Sequence, residues 1–164
     1  FALILQGEGG LGARLLKATA DLIAAGHAGV ILVGADSPTL PKAILRAAAD
    51  AVRQGDNVVL SPALDGGYAL IGLSRPHARL FDDMPWSTDA VYRLTLARAA
   101  ELGLPVVGVP GWYDVDDAAS LQMLEDEIDG VRPAFAAAHL VSAAAPATRQ
   151  FLRDRRNGCA KPVM

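Results

Sequence analysis

Short apolar runs alternate with longer amphipathic segments from the start of the chain to about position 128, and this alternation of two periods narrows the possible folds more than any other feature. The runs are "FALILQ" (1–6), "VILVG" (30–34), "NVVLSP" (57–62) and "PVVGVP" (105–110), each short and branched enough for a buried strand. Between them lie helical patterns. One spans about Ala13 to Ala25, with Leu15, Leu16, Leu22 and Ile23 as its stripe and Gly26 as its C-terminal cap. A second spans about Pro41 to Gln54, with Ile44, Leu45, Ala48 and Val52 on one face. A third is expected over Thr88 to Leu102, and a fourth from Ala118 with Leu121, Leu124 and Ile128. Strands and helices at this spacing predict an α/β three-layer sandwich with a mostly parallel sheet. Only "LDGGYALIGL" (64–73) breaks the rhythm. It leaves no room for a helix after Leu60, so an antiparallel or re-aimed strand is expected there.

In an open α/β sheet, ligands bind beyond the carboxyl ends of the strands. Asp36, Asp65, Asp114 and Asp116 all fall just after strand-like runs. In "GADSP", Asp36 suits either an Asx-turn or helix cap, or an oxygen ligand for a hard cation such as Mg²⁺ or Mn²⁺. In "WYDVDDAASL" (112–121) three carboxylates lie within four positions. A cap needs one of them, Asp116 or Asp117, and crowding the others is costly unless a cation is shared. The glycines of "LDGGY" permit close approach of a ligand to the backbone, although Asp-Gly is equally a hairpin signal. In "MPWSTDAV", Ser87 or Thr88 reads as a helix N-cap, and Trp86 as a packing residue or a stacking surface. The glycines of "QGEGGLGAR" have the wrong spacing for a dinucleotide fingerprint, and no G-K-S/T follows for a phosphate loop. His27, His77 and His139 suggest neither a triad nor a zinc site, and no G-x-S-x-G elbow occurs.

With 164 residues, 52% hydrophobic and 20% charged, the chain is expected to form a globular domain over residues 1–130, followed by an Ala-rich, partly helical extension over 131–164. A formal net charge of -3 gives no footprint for nucleic acid. The late basic residues Arg149, Arg153, Arg155, Arg156 and Lys161 read as a solvated helix face. A single cysteine, Cys159, excludes an internal disulfide, and the cytoplasm is the expected compartment. No apolar run approaches the roughly 18 residues needed to span a membrane. "FALILQ" lacks the flanks of a signal peptide and reads as a core strand already under way, so the natural protein is expected to begin upstream.

The order "QGEGGLGARL", "VILVGADSPTLP", "VVLSPALDGGYALIGL", "MPWSTDAV" and "WYDVDDAASL", over about residues 5 to 128, resembles bacterial glycosyltransferases of the GT-A fold. Specifically, it is similar to the arsenosugar-biosynthesis-type group, long catalogued as a domain of unknown function. That group is related to the molybdenum-cofactor and phospholactate guanylyltransferases. The resemblance implies a Rossmann-like nucleotide-diphospho-sugar transferase fold and a metal-dependent enzyme with Mg²⁺ or Mn²⁺ as cofactor. A nucleotide diphosphosugar would be the donor and a small molecule the acceptor, and a homodimer is open to it. It implies Asp36 and Asp116 as metal ligands, with Ser37 beside the first, and Asp65 and Asp116 as catalytic acids. Gly66 and Gly67 would lie in the sugar or acceptor loop, and Gln6, Gly7, Gly10 and Leu11 would approach the nucleotide. The family's Thr-Pro-Glu-Asp is "DAAS" here (117–120), which is expected to weaken the helix cap more than the metal site. The family's upstream strand and phosphate-gripping loop have no counterpart in the sequence. Half a donor site and little or no transferase activity are therefore expected of the chain as it stands. The alternatives are a nucleotidyltransferase releasing pyrophosphate, whose chemistry needs the same cation, and a non-catalytic nucleotide- or sugar-binding domain.

Overall fold

The structure is a computed structural model that describes residues 2–159, with Cys159 described by its backbone alone. Phe1 of the first apolar run and Lys161 of the basic tail lie outside the described residues. Four strands, β1 (Val30–Val33), β2 (Val58–Pro62), β3 (Tyr68–Leu73) and β4 (Val106–Gly108), form one sheet in the order β1-β3-β2-β4. β3 runs antiparallel to both β1 and β2, while β2 and β4 are parallel. The sheet is therefore mixed rather than mostly parallel. Its reversal lies where the helical rhythm breaks: β2 returns as β3 through a tight turn, closed by Ala63 N–H to the Gly67 carbonyl at 3.0 Å. β1, β2 and β4 still point the same way, so their carboxyl ends share one edge of the sheet.

Side-chain alternation along the strands sends residues to two apolar clusters. Val59 and Leu70 face α2 (Lys42–Val52), which contributes Ile44, Ala48, Ala51 and Val52, and α4 (Ala118–Ile128), which contributes Leu124. Val58, Leu60, Ile71 and Leu73 face the opposite way, toward Leu15 and Leu16 of α1 (Leu11–Ala24) and Leu96 and Ala99 of α3 (Val91–Glu101). α2 approaches the sheet closely because Gly29 and Gly72 lie beneath Val52. A Cβ would stand 2.1 Å from its Cγ1 at Gly29 and 2.7 Å from its Cγ2 at Gly72. α1 ends as expected, at Gly26 (φ 92°): Gly26 N–H bonds the Ile23 carbonyl and His27 N–H bonds the Leu22 carbonyl, the two hydrogen bonds of a Schellman motif.

Two expectations are overturned. Residues 2–6 form no strand and stand exposed, Leu5 at 88%. An apolar run becomes a strand only through a ladder, and no described residue pairs with it. α3 starts at Val91 rather than Thr88, with no side-chain cap. Ser87 takes a left-handed conformation (φ 62°), and Thr88 spends its hydroxyl on the Pro85 carbonyl at 2.7 Å. Leu140 and Leu152, the latter on α5 (Pro146–Cys159), are buried in the α2 cluster. Among the described residues, no helix is long and apolar enough to cross a membrane.

Candidate functional site

The shared edge of carboxyl ends opens into a cavity of about 590 Å³. Asp36 reaches it three residues past β1, Asp65 from the β2–β3 turn, and Asp114 and Asp116 from the segment between β4 and α4. Carboxylate oxygens of Asp65, Asp114 and Asp116 all lie within 4.8 Å of one another. Local contacts hold the loops that carry them. Asp65 accepts the Gly67 N–H at 2.8 Å in an Asx-turn. Asp36 folds back over Gly34, where a Cβ would stand 2.3 Å from its Oδ1. The Asp36 carbonyl also accepts Val115 N–H at 3.0 Å, which ties the two acidic loops together between Asp114 and Asp116.

Asp117 provides the helix cap. Its Oδ1 accepts Ser120 N–H at 2.7 Å, and its own N–H donates to Ser120 Oγ at 3.0 Å, a complete capping box. "DAAS" therefore does not weaken the cap, because Ser120 takes the reciprocal part that a Glu usually plays. With the cap assigned to Asp117, Asp116 faces the cavity.

The electrostatics follow from this crowding. Burial, together with the charges of Asp65, Asp116 and Asp36, pushes the Asp114 carboxyl above its ordinary value. No Lys, Arg or His lines the cavity among the described residues. An anionic ligand therefore meets repulsion unless a cation precedes it. The donor set is all oxygen and carries negative charge, which fits a hard divalent cation.

Ser87, Thr88 and Asp89 also line the cavity, beside an apolar part. Leu11, Leu15, Leu32 and Ile71 form one wall, and Trp86 meets Tyr68 edge-on with ring centroids 6.5 Å apart. The Tyr68 hydroxyl is buried without a partner among the described residues, and burial pushes its pKa upward. Gly12 lets α1 approach this wall, since a Cβ there would lie 2.6 Å from the Phe81 carbonyl and 3.2 Å from Trp86 Nε1.

Of the residues singled out from sequence, Gln6, Leu11, Asp36, Asp65, Gly67 and Asp116 line the cavity. Gly7, Gly10, Ser37 and Gly66 do not. Gly7 packs on Lys17, Gly10 is the N-cap of α1, and Ser37 is buried with its Oγ unpartnered among the described residues. Gly66 (φ 91°) lies against the Asp89 backbone, and its carbonyl accepts Tyr92 N–H at 2.9 Å, which joins the turn to α3. Asp114, which the sequence places at a strand end and in the acidic cluster but which the resemblance does not carry over as a ligand, lines the cavity as well. The signal was present: in an extended stretch, residues two apart point to the same side, and Asp114 and Asp116 are so spaced.

A family profile described as "Uncharacterized protein conserved in bacteria (DUF2064)" matches residues 1–88, more than half of the chain. The chain belongs to this family. Among solved structures, its fold is similar to that of a "putative nucleotide-diphospho-sugar transferase" from Desulfovibrio desulfuricans G20, with a TM-score of 0.74 and 26% identity. The alignment covers 93% of this chain and 62% of that one, so the chain spans about three fifths of that protein's length. No curated protein matches the chain.

Proposed function

We propose that the chain carries the cation-binding residues of a glycosyltransferase site that uses a nucleotide diphosphosugar. The observation that carries this reading is the convergence of Asp65, Asp114 and Asp116 at the carboxyl ends of the strands, with Asp36 lining the same cavity. Loss of a nucleoside diphosphate leaves charge on its phosphates, and Mg²⁺ or Mn²⁺ would neutralise that charge. The aspartates would hold the cation. Gln6 and Leu11 line the cavity where a nucleoside could lie, and Gly67 contributes backbone close to the acids. Trp86 and Tyr68 offer aromatic surface for a sugar or base. The similarity to the Desulfovibrio protein supports the donor class, and the motif order supports the arsenosugar-type group within it.

Incubating the protein with Mn²⁺ and UDP- or GDP-sugars, or with nucleoside triphosphates and sugar phosphates, tests the chemistry. Free nucleoside diphosphate from the first mixture supports a glycosyltransferase. Pyrophosphate from the second would instead assign the site to nucleotidyl transfer.

A further inference from the structure

We propose that Glu127 is a positioning residue for the acidic loop, through which the segment after α4 acts as a strap on the cation site; the inference rests on the cation-binding reading above. Trp112 and Tyr113, immediately before Asp114, are 0% and 1% exposed. Trp112 Nε1–H donates to Thr39 Oγ1 at 3.2 Å, and the Thr39 hydroxyl donates to Tyr113 Oη at 3.2 Å. The Tyr113 hydroxyl donates to Glu127 Oε2, and the Ser142 hydroxyl donates to Glu127 Oε1. A carboxylate only accepts, so the single hydroxyl protons of Tyr113 and Ser142 go to Glu127, and Thr39 is left to donate to Tyr113. Ala143 N–H closes the strap on the Thr39 carbonyl at 2.9 Å.

Glu127 is buried on α4, and no Lys, Arg or His pairs with it among the described residues. An apolar side chain would fill such a place with less desolvation, so a buried carboxylate here contributes geometry rather than net stability. What it fixes is the Tyr113 side chain, one residue from Asp114. That loop is also bonded to Asp36 through Val115. Loss of the acceptor frees Tyr113 and lets the carboxylates spread.

The test titrates Mn²⁺ alone into wild type, Glu127→Leu, Glu127→Gln and Tyr113→Phe, with circular dichroism confirming the fold of each. Glu127→Gln removes the charge yet keeps an oxygen for Tyr113, and its amide can donate to Ser142. It is expected to bind within about threefold of wild type, by analogy with retained outer-shell partners. Glu127→Leu and Tyr113→Phe remove the bond and are expected to weaken Mn²⁺ binding about tenfold or more. A merely structural role would lower melting temperature and leave the affinity of the folded variants unchanged. If folded Tyr113→Phe binds Mn²⁺ like wild type, the positioning role is overturned, whether or not Glu127→Leu folds. If wild type itself binds no Mn²⁺, the cation-site reading fails, and this inference with it.

Discussion

Asp117 and Ser120 bond each other reciprocally at the start of α4, and Asp116 is thereby left to face Asp65 and Asp114. Adjacent carboxylates thus have separate work. Asp117→Ala is expected to lower stability through loss of the N-cap, while leaving Mn²⁺ affinity nearly intact. Asp116→Ala should do the reverse. Chemical denaturation and Mn²⁺ titration on both variants check the division.

Asp114 is where function opposes stability. Its carboxyl is raised above the ordinary 3.8, chiefly by burial and then by its acidic neighbours. Between 3.8 and that raised value the folded chain binds more protons than the unfolded one. The stability this group contributes is therefore full below 3.8 and is lost as pH rises through the folded value. At neutral pH without metal, Asp114→Asn should raise the melting temperature, because it removes a charge from a crowded site. The same substitution should abolish the stabilisation that Mn²⁺ gives the wild type. Mn²⁺ affinity of the wild type should fall as pH is lowered into the range where Asp114 takes up its proton. Thermal scans with and without Mn²⁺ across pH test all three outcomes.

Gly66 combines a left-handed backbone with contact against the Asp89 main chain, where a Cβ would stand 2.5 Å from Cα. Gly66→Ala is therefore expected to destabilise by about 2 kcal/mol or more and to displace Asp65. Gly130 is also left-handed (φ 98°) but has open space around it. Gly130→Ala carries only the backbone strain and serves as the control in the same unfolding measurement.

Much of this arrangement was legible in the sequence wherever one local rule decided the outcome. The apolar stripe of α2, the Gly26 cap and the placement of aspartates after strands each follow from period or turn chemistry. The misplaced features depended on distant partners. Residues 2–6 have strand composition but no ladder. Thr88 has a capping side chain, yet the loop uses it on Pro85. Leu140 and Leu152 sit in an Ala-rich stretch with little periodicity, and their burial depends on the surface of α2 and α4. For the site, Asp65 and Asp116 could be named from sequence. That Asp114, rather than Asp36, completes the mutually close triad is set by how the β4–α4 segment crosses the end of β1.

Mn²⁺ binding to the folded chain, followed by the electron paramagnetic resonance of the free ion, tests the cation site most directly. Wild type should remove Mn²⁺ from solution at a site that Mg²⁺ competes for, and Asp114→Asn and Asp116→Asn should each lose it. Wild-type protein that leaves the free Mn²⁺ signal unchanged, or aspartate variants that bind as wild type does, would contradict the assignment.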